Sequence, residues 1–455
     1  MCGIAAYHGN EAFTNVIALL IELQHRGQEA WGISYVDGDE LITLKKVGSV
    51  ICSLNDITRN PRTTAAIGHV RYSTAGGYLL EGAQPAEIKG KIHFSLGFNG
   101  NIINYLELAK RHGVLKPPGD AIVLAKLIHD LAIEHGNDIV EALKELPHHV
   151  IGSYSLVVLT SDSHIIAARD PLGFRSLSMT FNDNKFMVAS ETAALRAIND
   201  GKVHEIAPGE IVIFDEYDLE IARSFTYSKR AICAFEYIYF ARPDSVINGV
   251  SVYHARLNMG RTLAHRAPVD ADIVVPIPES SRIAALGYSR ESGIPLEEAI
   301  SITRYLGRSF IMPPCMRDKI ASLKYGIITE AVRGKRVVLI DDSIVRGTTL
   351  RRLITKIRKA GAKEVHVRIV SPPIRYPCFM GIDMPTHAEL AINNAGNFEE
   401  LAKSINANSL AYNTVENVVH SIGFSDLCLA CFTGSYPIHI EIQHYEKVFG
   451  GRSTW

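Results

Sequence analysis

Cysteine is scarce in this chain, seven among 455 residues, too few for the disulfide framework of a secreted scaffold. Net charge is close to absent, formally −1, and no basic block occurs. The electrostatic footprint of a nucleic-acid binder is therefore missing. No run of about eighteen apolar residues exists that would span a bilayer. The longest candidate, Val16 to Ile21, is cut by Glu22 and predicts a buried helix face. A charged leader followed by an apolar stretch is also lacking at the N-terminus. These absences point to a cytoplasmic protein that meets neither nucleic acid nor membrane. What is present is a hydrophobic content of 47%, enough for real cores, and a length that calls for more than one domain. No internal repeat or low-complexity linker breaks the chain.

The texture changes near the middle. Up to about residue 225, short strand-like runs such as 65–70, 92–97 and 154–159 are separated by Gly, Asn and Asp. Two helical patterns, 121–135 and 139–146, interrupt them with apolar residues three and four apart. Strands in two groups with intervening helices suggest sheet packed on sheet under helical cover. From about residue 250, continuous β-branched runs alternate with amphipathic helices: 273–277 then 281–288, and 337–340 then 350–360, followed by 364–370. That alternation predicts a parallel sheet buried on both faces. The boundary is expected between Ser224 and Arg230, giving domains 2–227 and 228–455.

Cys2 is the first chemical signal. If Met1 is removed, one residue carries both a thiol and a free α-amine, with ordinary pKa values of about 8.5 and 7.7–8.0. The amine then serves as base for its own sulfur. A cysteine near a terminus is usually incidental, but the next hundred residues supply what such a thiol needs to attack an amide. Phe98-Asn99-Gly100-Asn101 offers a side-chain amide beside a glycine N–H, the donors of an oxyanion hole. Asn-Gly is equally a common hairpin turn. Arg71 is suited to hold a carboxylate bidentately, although a lone Arg is more often a surface residue.

Taken together, Cys2-Gly3-Ile4, His25-Arg26-Gly27-Gln28, His69-Val70-Arg71-Tyr72, Asn99-Gly100-Asn101, Arg169 to Gly173 and Ser190-Glu191-Thr192 resemble the N-terminal-nucleophile glutamine amidotransferase domain. The resemblance implies an αββα sandwich of the N-terminal-nucleophile hydrolase type. It makes Cys2 the nucleophile, Asn99 and Gly100 the oxyanion donors, and Arg26, Arg71, Thr74 and Asp120 the contacts to glutamine.

The second signal is Val337 to Thr349, where a buried strand ends in Asp341-Asp342 and a loop with Gly and hydroxyls opens a helix. Ligands bind at the carboxyl ends of strands in such sheets. Loop N–H groups and the helix N-terminus suit a phosphate, and paired acids suit sugar hydroxyls or a hard cation. Simple helix capping would explain Asp and Ser alone. The whole segment resembles the phosphoribosylpyrophosphate (PRPP) loop of type I phosphoribosyltransferases and implies their α/β domain. By that resemblance Ser343, Val345, Arg346, Gly347, Thr348 and Thr349 bind PRPP, with Arg304 and Lys324 near the pyrophosphate. Mg²⁺ is expected at Ser280, Asp341 and Asp342.

Cys428-Leu429-Ala430-Cys431 joins distant Cys233 and Cys378. Spacing alone leaves a zinc half-site, a redox pair or coincidence open. The surroundings of all four are similar to the iron–sulfur subgroup of the glutamine PRPP amidotransferase family, which implies a structural [4Fe–4S] cluster on Cys233, Cys378, Cys428 and Cys431. Zinc remains the alternative. Cys52 and Cys315 are expected to be free buried thiols. The order of the two halves fits the same family, so the expected activity is 5-phosphoribosylamine synthesis from glutamine and PRPP. Purine nucleotides are its expected feedback inhibitors and a homo-oligomer, a tetramer by analogy, its expected assembly. A glutaminase serving another synthase would lack the 341–349 loop. A PRPP-sensing regulator would need no Cys2, Asn99 and Gly100.

Overall fold

The computed structural model describes residues 1–57, 61–72, 80–182, 185–199, 201–215, 218–225, 227, 229–303, 324–384, 386–442 and 445. Thr74, Arg304 and Cys315 lie outside the described residues.

The first half forms two antiparallel sheets. One has seven strands in the spatial order His204–Glu205, Ser178–Asn182, Lys185–Ala189, Gly3–His8, Ala65–Arg71, Ala30–Asp37, Glu40–Val47. The other has six, in the order Leu219–Arg223, Glu210–Phe214, Ile165–Arg169, Gly152–Thr160, Phe94–Ile102, Ala86–Ile88. Side chains on a strand alternate between faces, and both faces are used here. Ile4 and Ala6 join Ile67, Val157 and Ala167 between the sheets, whereas Ala5 and Tyr7 pack with Val16 and Leu20 of helix Ala12–Glu22. Helix Asp120–Glu134 covers the second sheet through Leu124, Leu127, Ile128 and Leu131. The layering is helix, sheet, sheet, helix.

The second half carries a four-stranded parallel sheet in the order Ile273–Pro276, Arg336–Asp341, Glu364–Ile369, Ser409–Tyr412. Val274, Val338 and Ile340 face helices Val252–Arg266 and Arg282–Ser292. Val275, Val337 and Leu339 face Leu350, Leu353, Ile354 and Ile357 of helix Thr348–Lys359. The continuous apolar runs of the sequence are thus explained by burial on both faces.

The chain does not keep its halves separate. Phe379 and Met380, far along the sequence, are buried in the core beneath helix Asp120–Glu134, and Tyr436, Ile438, Ile440 and Tyr445 pack against the same core. A sequence reading by texture misses this, because a returning segment carries no periodic mark of the layer it joins. Among the described residues, no helix is long and apolar enough to cross a membrane.

Candidate active sites

Cys2 precedes the central strand Gly3–His8, where it is 8% exposed. The Cys2 N–H donates to Asn99 Oδ1 at 3.2 Å. Its sulfur sits 3.5 Å from both the N and the O of Tyr72. Asn99 and Gly100 lie inside strand Phe94–Ile102 rather than in a turn, opposite Ser155 and Tyr154. Gly100 is required there, since a Cβ would meet Ser153 O at 2.0 Å. The Asn99 Nδ2 is buried and has no hydrogen-bond partner among the described residues. A buried donor left unmade costs about 1–3 kcal/mol, so this atom is a donor waiting for an oxygen. Burial raises the Cys2 thiol, while the N-terminal ammonium, the Tyr72 backbone and Arg71 pull it down.

A cavity of about 230 Å³ opens beside Cys2, and Arg71, Gly100 and Asp120 are on its wall. Asp120 starts its helix and accepts the Ile102 N–H at 3.1 Å. The cavity thus offers a guanidinium and a carboxylate beside a thiol and a vacant amide donor. Lys45, Glu87 and Gln84 also line it. The sequence reading passed over them, although Thr43 and Lys45, two apart, share one face of a strand. Arg26 does not line this cavity. Its Nε donates to Cys2 O at 3.0 Å, and its Nη2 pairs with Glu236 at 2.8 Å and its Nη1 with Glu191 at 2.5 Å. The guanidinium braces the Cys2 backbone and is spent on two buried carboxylates.

The second site is a cavity of about 820 Å³ between the halves, with Ser280, Lys324, Asp341, Asp342, Ser343, Val345, Arg346 and Thr349 on its wall. A neighbouring hollow of about 250 Å³ adds Gly347 and Thr348 at the start of the helix. Ser280 and Ser343 hydroxyls each donate to Asp342 at 2.6 Å, and the Asp342 N–H donates to Asp341 Oδ1 at 3.0 Å. Burial, and for Asp341 also its neighbour's charge, pushes both carboxyls up. Two adjacent acids that ionise with difficulty call for a cation. Arg256, buried and also on the wall, has its Nε and Nη2 tied to Tyr237 O and Ala241 O at 2.7 and 2.8 Å. Arg346 Nε donates to Glu389 at 2.9 Å, at the rim. Arg256 belongs to no motif, so nothing in the sequence marked it.

Among the described residues, the two cavities share one. Tyr72 lines both, and Met1, buried beside Cys2, lines the larger one.

Cys233 and Cys428 are register partners in a parallel strand pair. Cys378 and Cys431 lie near enough for the thiols to feel one another's charge. Burial pushes Cys233 to about 11 and raises Cys428 and Cys431 as well. Cys52 is exposed, not buried as expected, because it sits on a surface 3₁₀ turn.

Known proteins resemble this chain along nearly its whole length. The family model described as glutamine amidotransferase domain matches residues 69–197, and that described as phosphoribosyl transferase domain matches 258–371. The amidophosphoribosyltransferase of Archaeoglobus fulgidus is 41% identical over 98% of this chain and 100% of its own length. That of Bacillus subtilis is 39% identical over 96% of this chain and 94% of its own. This chain belongs to the amidophosphoribosyltransferase family. The solved glutamine PRPP amidotransferase from B. subtilis, complexed with ADP and GMP, superposes with a TM-score of 0.87 at 38% identity, covering 96% of this chain and 98% of that one. The first matched range includes Arg71, Asn99, Gly100 and Asp120 but begins after Cys2, and the second includes Ser280 and Asp341 to Thr349.

Proposed function

We infer that this chain hydrolyses glutamine at Cys2 and passes the ammonia to PRPP, forming 5-phosphoribosylamine, glutamate and pyrophosphate, the first step of purine synthesis. The observation that carries this reading is Tyr72, which touches the Cys2 sulfur and lines both cavities. Once Met1 is removed, the α-amine falls on Cys2 itself and takes the thiol proton. The thiolate attacks the carboxamide carbon, and the resulting oxyanion takes the vacant Asn99 Nδ2 and the Gly100 N–H. Arg71 holds the α-carboxylate and Asp120 the α-ammonium. Collapse returns the proton to nitrogen, expels ammonia and leaves a thioester that water hydrolyses to glutamate.

Ammonia attacks only unprotonated, so it is best kept from bulk water, and the path past Tyr72 serves that need. It then attacks C1 of the ribose as pyrophosphate departs. Asp341 and Asp342 orient the ribose hydroxyls, and the loop from Ser343 to Thr349 seats the 5-phosphate. The donor set of Asp341, Asp342 and Ser280 is all oxygen and fits Mg²⁺, which supplies countercharge to the leaving pyrophosphate. Lys324 adds a cation from the wall.

We propose that the four thiols hold a [4Fe–4S] cluster, with zinc the alternative. Cys233 and Cys428 are register partners, and the Cys378 charge reaches both Cys428 and Cys431. Purine nucleotides fit as feedback ligands, since the B. subtilis relative was solved with ADP and GMP. A cytoplasmic homotetramer completes the reading by analogy.

The test is pyrophosphate release from PRPP with glutamine or with ammonium chloride. Cys2→Ala is expected to abolish the first and keep the second. Loss of both, or intact Met1 by mass spectrometry in active enzyme, overturns it.

A further inference from the structure

The strand bearing Asn99 and Gly100 is held from behind by a loop of the other half. Asn101 Nδ2 donates to Phe379 O at 2.8 Å and Ser153 Oγ to Met380 O at 3.0 Å. Arg175 donates to the same Met380 carbonyl. Ser153 is the register partner of Asn101 and neighbours that of Gly100, so these bonds grip both strands of the oxyanion ladder. Gly381, at φ +97°, comes so close that a Cβ would lie 3.0 Å from Gly100 O and 3.1 Å from Arg175 Nη2. The loop begins at Cys378, whose N–H donates to Met384 O at 2.9 Å and closes it.

Arg175 stands at the junction. Its side chain is fully buried, its Nε has no partner among the described residues, and its Nη1 faces Met1 Sδ and lies 3.9 Å from Glu236. Its charge acts on Cys233 and Cys428.

We propose that the loop Cys378–Gly381, with Arg175 as its positioning residue, presses the Asn99–Gly100–Asn101 strand against Cys2 and makes glutamine hydrolysis depend on the state of the four-thiol site. The proposal rests on the reading of Cys2 as the glutamine nucleophile. An occupied thiol site fixes Cys378 and the loop it closes, so the Met380 carbonyl gripped by Ser153 and Arg175, and the strand it braces, are fixed too. Among the described residues, neither Arg175 nor Ser153 lines the PRPP cavity.

The test compares full-length wild type with Arg175→Met, Arg175→Lys and Ser153→Ala. Arg175→Met is expected to lower glutamine-dependent kcat by roughly 30-fold or more, the scale of a displaced oxyanion donor, with ammonia-dependent synthesis within about twofold. Arg175→Lys should recover part of the loss. Should Arg175→Met not fold, Ser153→Ala carries the test with a loss of about three- to tenfold, the worth of one buried hydrogen bond. Two readouts are independent of turnover. Labelling of Cys2 by a diazo-ketone analogue of glutamine, which needs the oxyanion donors, should slow more than alkylation by iodoacetamide. Amide exchange at 99–102 should quicken when iron is stripped from the wild type. Equal loss of both activities, equal slowing of both labels, or unchanged exchange on iron removal overturns the proposal. Failure of Cys2→Ala to abolish glutamine use would instead overturn the underlying reading.

Discussion

The two sites are built on opposite principles. Around Cys2 the groups are carried by paired strands, so their positions are fixed before any substrate arrives. An unmet demand there, among the described residues, is a single amide donor, Asn99 Nδ2. At the phosphoribosyl site the groups sit on a loop at a strand's end, and the unmet demand is electrostatic: two adjacent carboxyls pushed up by burial. The cavity beside Cys2, about 230 Å³, is also far smaller than the 820 Å³ space it adjoins. The difference teaches that one site waits for an oxygen and the other for positive charge. Preorganised dipoles suit a reaction that develops an oxyanion. Unbalanced acidity suits one whose substrate brings its own cation.

The largest expected effect breaks the second site alone. Asp341→Asn and Asp342→Asn should each cut pyrophosphate release about 10³-fold, whichever nitrogen source is used. The same changes should raise the melting temperature of the ligand-free protein, because a buried like-charge pair is relieved. If activity falls and stability falls with it, the electrostatic half of the contrast is wrong. Next, Asn99→Ala should lower glutamine-dependent kcat about 10²- to 10³-fold and leave ammonia-dependent synthesis intact. A parallel loss of both would mean that the strand, not the donor, was damaged. Third, Cys431→Ser should remove iron, sulfide and visible colour, and lower the melting temperature by roughly 5–10 °C. A colourless wild type with stoichiometric zinc would replace the cluster by a single ion.

Much of this was legible because chemistry and backbone coincide at a few short segments. Asp341-Asp342 to Thr349 read correctly as strand, loop and helix, since β-branched residues precede the acids and Leu350, Leu353, Ile354 and Ile357 line one helix face. The Asn99-Gly100 pair was ambiguous between turn and strand, because only the tertiary approach of Ser153 O explains that glycine. Arg26 was placed on glutamine, but long-range carboxylates claim it. Glu236 lies in the other half of the chain, and no local pattern announces such a pairing. Lys45, Glu87, Arg175 and Arg256 are single charged residues outside any motif. Their importance comes from burial, and burial of a charge is decided by the fold.

The smallest expected effect concerns His69, two residues before Arg71 on the same strand face. It is fully buried, and its pKa falls to about 3, through burial and the Arg71 charge, with a hydrogen bond to the Phe98 backbone opposing. The folded chain therefore keeps this ring neutral at pH values where the unfolded chain, with an ordinary value of about 6.5, has taken up a proton. The stabilising contribution is complete above pH 6.5 and erodes as pH falls toward 3, by at most about 1.4 kcal/mol per pH unit. Asp170, raised to about 6 by burial, works in the opposite sense and gains stability as pH falls, so the net slope of the wild type does not isolate His69. The difference between wild type and His69→Leu does. Denaturant unfolding at pH 7 and pH 5 should show the wild type losing about 2 kcal/mol more than the variant over that interval. Equal losses would mean that His69 is protonated inside the fold. A second positive charge would then stand buried near Arg71, and the surroundings of Cys2 would be electrostatically unbalanced, like the neighbouring site.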